Sequence, residues 1–152
     1  MGDLGRIGAG AAVIGAVLIL VSLTVVARVP GVVVSPEPAP AWTARIDLID
    51  QALAEGNLSR AYYEWREAYG DAFRSGRWEA LADVGDAAMR VEAAAGRRSG
   101  YRAEARRAYL AALLRARALQ SPAGAMRIAE AFARLGDAEM AERARKIAAE
   151  LS

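Results

Sequence analysis

Asp83 and Asp86 stand three residues apart in the stretch WEALADVGDAAMRVE, and Glu79 lies one turn before Asp83. On a helix this spacing sets the carboxylates on one face. Paired carboxylates can act as acid and base, for instance in glycan hydrolysis, or share a cation. Nothing else in the sequence extends either chemistry. No motif marks a substrate cleft, and two carboxylates without further oxygen ligands make a poor calcium site. The chain contains no His and no Cys. That removes the commonest general base and metal ligand, along with thiolate nucleophiles, disulfides and Cys-based metal sites. The residues therefore predict no enzyme, no cofactor and no metal centre.

A second group is cationic. Arg97, Arg98, Arg102, Arg106, Arg107, Arg115 and Arg117 crowd a stretch in which Glu104 is the only acidic residue. Guanidinium groups at this density suit anionic lipid headgroups, an acidic partner or nucleic acid. Only Tyr101 and Tyr109 offer rings for base stacking there, so nucleic acid is not expected. A solvated helix face, partly paired with acidic residues elsewhere, is the plainer alternative. The net charge of +2 hides an asymmetry between the halves. From Glu37 to Glu92 there are eleven acidic and six basic residues; from Ala93 to Ser152, six acidic and twelve basic. The halves could attract one another or present two differently charged surfaces. Tyr62, Tyr63, Trp65 and Tyr69 read as packing residues rather than a ligand cage.

The elements that must position these groups follow from hydropathy and turn residues. After a short tail, 1–6, the run Ile7–Ala27 carries no charge and no proline, and Arg6 and Arg28 flank it. As a helix it would be roughly 32 Å long, close to the roughly 30 Å of hydrocarbon in a bilayer. It predicts a transmembrane helix over 7–29. The run is longer than a signal-peptide core, so an uncleaved anchor is expected. Gly8, Gly15 and Ser22 recur every seven residues with Ala11 and Ala12 beside them, a small-residue face suited to contact with another membrane helix. Gly8-Ala9-Gly10 has the opening of a dinucleotide fingerprint but no strand before it. Arg6 lacks the Ser or Thr of a myristoylation signal.

Residues 30–41 hold Pro30, Pro36, Pro38 and Pro40. They predict a polyproline spacer reaching about 37 Å at roughly 3.1 Å per residue. The remaining 42–152 is 111 residues, enough for one modest core. Its Gly-bearing turns divide it into about six antiparallel helices near 43–55, 59–74, 77–95, 101–119, 123–135 and 138–151. The fold class is all-α: one membrane helix, then a helical bundle or α-solenoid.

Two turns match each other. Leu53–Tyr69 parallels Phe132–Glu150 about Gly56 and Gly136, with Ala61 matching Ala141 and Ala68 matching Ala148. Trp78, Leu81 and Ala82, with Glu104, Ala105, Tyr109 and Ala112, form a weaker middle unit about eleven residues too long. This pattern resembles the tetratricopeptide repeat, a helix–turn–helix unit of about 34 residues, in three degenerate copies. The third copy departs from the pattern by placing Arg145 where Trp65 stands in the first. The resemblance implies a solenoid whose first helices line a groove for peptides or proteins. It places Asp50, Glu79, Asp83, Asp86 and Glu130 on that groove, an acidic surface for a basic partner segment.

The expected function is a single-pass, membrane-anchored interaction scaffold, an accessory or assembly subunit of a membrane complex. Its partners would be another membrane protein and membrane lipid. The basic surface Arg97, Arg98, Arg102, Arg106 and Arg107 is the alternative binding element, for anionic lipid. A short amino-terminal tail before a long domain is common in bacterial inner-membrane anchors facing outward, which places the domain outside the cytoplasm.

Overall fold

A computed structural model describes residues 39–96 and 100–152. The expected membrane helix, with Gly8, Ala11, Ala12, Gly15 and Ser22, lies outside the described residues, as do 30–38 of the spacer and Arg97 and Arg98. Among the described residues there are six helices and no strands: α1 (Ala41–Ala54), α2 (Leu58–Ser75), α3 (Trp78–Ala95), α4 (Tyr101–Ala118), α5 (Pro122–Leu135) and α6 (Ala138–Glu150). No helix among them is long and apolar enough to cross a membrane. The first helix begins at Ala41, two residues earlier than the periodicity predicts. Pro40 precedes it in polyproline geometry, φ −56° and ψ 144°.

Local chemistry explains the boundaries. Asn57, Ser121 and Asp137 cap α2, α5 and α6: their side chains accept from the backbone N–H of Arg60, Gly124 and Met140 at 3.0, 3.0 and 3.2 Å. Pro122 opens α5, where its missing N–H costs nothing. The two matched turns both reverse through a glycine at positive φ, 69° at Gly56 and 82° at Gly136, a conformation that side chains disfavour.

Alanine dominates the interior. Ala61, Ala68, Ala141 and Ala148, the four matched small residues, are all buried. Small side chains let helix axes approach closely and lose little rotamer freedom on folding. Bulk comes from Ile49, Leu81, Val84, Val91, Ile128, Phe132 and Tyr109, all fully buried. Tyr109 and Phe132 meet edge-to-face at 5.8 Å. The closest approach is at Gly85, where an added methyl would lie 2.6 Å from Cδ1 of Tyr109.

Each helix packs on the next in sequence. In addition α3 touches both α1 and α5, so the odd-numbered helices form one row. Side-chain rings and arginines join α2 to α4.

Candidate functional site

The row of odd helices gathers three of the five predicted groove carboxylates, and arginines gather with them. Asp50 on α1 receives two bonds from Arg90 of α3, at 2.8 and 3.2 Å. Asp83 accepts from Arg127 of α5 at 2.6 Å and from Trp42 Nε1 at 3.3 Å. Asp86 accepts from Tyr109 Oη at 2.7 Å and from Arg134 at 3.1 Å, with Arg127 at 3.6 Å. Burial works against the Arg127 charge, but the hydrogen bond and charge of Asp83, joined by Asp86, hold its pKa above the ordinary value. Burial and the Asp86 contact push the Tyr109 phenol well up. Glu79 stands apart and pairs with Arg77 at 3.7 Å. Glu130 is exposed on α5.

The face is therefore a lattice of internal pairs rather than a free acidic strip. The resemblance to the repeat family implies a common surface for Asp50, Asp83 and Asp86, but nothing in it marks Arg90, Arg127 and Arg134. They fall outside the run of clustered arginines, and only helix packing sets them opposite the carboxylates. The attraction between the acidic and basic halves is seen here as bonds from Arg127 and Arg134 to Asp83 and Asp86.

The arginine cluster disperses in the same way. Arg102 donates to the Leu135 carbonyl at the end of α5. Arg106 donates to Asp137, the α6 cap, at 2.7 Å, and this bond holds the Asp137 carboxyl below its ordinary pKa. Arg115 donates to the Ala72 and Phe73 carbonyls at 3.2 and 2.7 Å, closing the end of α2. Arg107 pairs with Glu104 at 3.3 Å within α4. Three of these arginines fasten α4 to neighbouring helix ends.

The aromatic residues of α2 depart most from expectation. Trp65 is 4% exposed and donates to the Val84 carbonyl at 3.0 Å, as packing predicts. Tyr62 and Tyr63 are instead 44% and 59% exposed, and Phe73 is 56% exposed. The helical period explains this: 62, 69 and 73 fall on a stripe beside the buried one at 61, 65, 68 and 72. The rings run as a ribbon. Tyr62 meets Tyr101 at 5.8 Å, Tyr101 meets Trp65 at 6.2 Å, Trp65 meets Tyr69 at 5.6 Å, and Tyr69 meets Phe73 at 6.5 Å. Beside the ribbon lies an open cleft of about 600 Å³, walled by Tyr62, Trp65, Arg66, Tyr69 and Gly70 of α2 and by Glu104 and Arg107 of α4.

Rings backed by a packed core and edged with arginine can bury apolar area while the charges orient what binds. Tyr, Trp and Arg are the residues that dominate protein interfaces. No known protein-family model, curated protein or solved structure matches the chain.

Proposed function

We propose that this chain is a membrane-anchored docking module: 7–29 hold it in a bilayer, and the helical domain binds a protein partner at the same membrane. The observation that carries the docking is the aromatic ribbon, whose end rings Tyr62 and Phe73 are exposed on an otherwise well-packed domain. Tyr62, Tyr63 and Phe73 face solvent, while the large apolar side chains on α1, α3 and α5 are mostly covered. The row of odd helices supports a repeat-like, tetratricopeptide-type solenoid, in which successive helix pairs stack side by side. The anchor rests on the charge-free run Ile7–Ala27. A role as accessory or assembly subunit follows from a tether joined to a docking surface.

The test is fractionation followed by copurification. The full chain should stay in the membrane pellet after alkaline extraction, and a variant lacking 7–29 should be released. From detergent the full chain should recover a partner at near-equal amounts. A chain found wholly in the soluble fraction overturns the anchor. Purification without any stoichiometric protein overturns the docking.

A further inference from the structure

We infer that the groove between α2 and α4 docks an acidic amphipathic helix of a partner protein. This inference rests on the docking function proposed above and names the surface and the chemistry of its occupant.

The groove is preformed. Its floor is Trp65, fixed by burial and by the bond to Val84, and Tyr101 packs edge-to-face on Trp65 at 85°. Its walls are the stretch from Tyr62 to Gly70 of α2 and the turn of Glu104 and Arg107 on α4, so it runs about 12 Å along α2, between two and three turns of a docked helix.

Gly70 interrupts one wall. A glycine inside a helix weakens it, and packing within the domain does not require this one. A methyl there would meet only the outer end of Arg74, at 3.3 Å from Nη1. Gly85 and Gly124 differ, since a methyl at either would run into the core. Gly70 lines the cleft, and a larger side chain there would displace the end of Arg74 and project into the open space.

The rim sets the charge of the occupant. Arg66 lies over Tyr62 at 5.9 Å and makes no ion pair among the described residues. Arg115 covers Phe73 at 4.8 Å and bonds only to carbonyls. Arg107 is 66% exposed beside Glu104. In the cleft Arg66 and Arg107 stand against Glu104, and Arg115 lies beyond them over Phe73, a cationic surplus that favours an acidic partner. The odd-helix face offers no such surplus, because its arginines already hold carboxylates.

The form of the occupant follows from the walls. Neither wall has a strand edge to extend, so recognition must run through side chains. Rings recurring at 62, 69 and 73 make ridges at the period that an apolar helix stripe fills.

The test uses the full chain in zwitterionic nanodiscs and two synthetic helices of about 18 residues, each with leucines at positions i, i+3, i+4 and i+7. One carries Glu at the remaining positions, the other Lys. The Glu probe should bind saturably, one per chain, and at least about tenfold tighter than the Lys probe. Gly70→Leu should fill the groove and weaken the Glu probe by about tenfold or more, with the circular dichroism of the domain retained and its melting temperature unchanged or raised. Arg66→Glu combined with Arg107→Glu should reverse the preference between probes. Equal binding of both probes, binding of neither, or wild-type binding by Gly70→Leu would each overturn the assignment. So would a gain in binding to phosphatidylglycerol vesicles that Gly70→Leu abolishes, since the surface would then serve lipid. If a native partner still copurifies with Gly70→Leu, the docking function stands and this groove is not its site. Failure of the chain to enter nanodiscs counts against the anchor alone, and the same probes then test the groove in buffer.

Discussion

The face built by α1, α3 and α5 and the groove between α2 and α4 contain the same residue types in opposite arrangements. Both hold aromatic rings, arginines and carboxylates. On the odd-helix face Arg90, Arg127 and Arg134 each end on an aspartate of another helix. In the groove Arg66 and Arg115 lie over rings, and Arg115 ends on carbonyls. The first face pairs most of its charges with one another across helices and contributes to the fold. The second leaves its rings and part of its charge facing outward. A cluster of charged residues therefore says little about binding until its partners are known, and pairing separates a structural surface from a docking one.

Trp65 is where the two regions meet, being both core and groove floor. Trp65→Ala should cost about 3–5 kcal/mol in chemical denaturation, the usual range for a buried Trp replaced by Ala. A loss under 1 kcal/mol would place Trp65 with the exposed rings and dissolve the distinction drawn here. Gly85→Ala, beneath the odd-helix face, should cost about 1–3 kcal/mol, because the methyl forces Tyr109 away from α3 and from Asp86. An unchanged midpoint would mean that α3 and α4 are not in close contact.

The carboxylates of the odd-helix face should then rank by burial and partners. Asp86→Ala removes the partner of the buried Tyr109 phenol and of Arg134, and should cost about 1–3 kcal/mol. Asp50→Ala breaks one exposed pair and should cost under about 1 kcal/mol. Equal losses would show that the lattice acts as one unit. Phe73→Ala, on the same helix as Trp65, should also change stability by less than about 1 kcal/mol, the reverse of its expected weight in binding. A large loss would make the ribbon part of the core.

The smallest effect concerns pH. Arg106 lowers the Asp137 pKa in the folded state from the ordinary 3.8. The stability this adds is fully present above that ordinary value. It fades as pH falls from there through the lowered native value. In an NMR titration Arg106→Gln should raise the Asp137 pKa toward 3.8. An unmoved titration would assign the shift to the cap bond from Met140.

Most of the secondary structure was legible in the sequence. Gly56, Gly76, Gly136 and Pro122 mark helix ends by their own backbone preferences, and the matched alanines mark helix contacts. Tyr62 and Phe73 escaped because an aromatic residue carries the same signal whether its stripe faces inward or outward. A shift of one position around a helix turns a side chain by about 100°, and only the neighbouring helices decide which stripe is covered.

The amino-acid sequence by itself determined six helices, their turns and the absence of His and Cys chemistry, because those depend on local conformation and on composition. Tertiary structure alone decided which charges are free. Arg127 and Asp83 are 44 positions apart yet 2.6 Å from each other, whereas Arg66 shares a helix with Glu64 and Glu67 and makes no ion pair among the described residues. Electrostatic pairing depends on distance in space, and helix packing sets that distance independently of position along the chain.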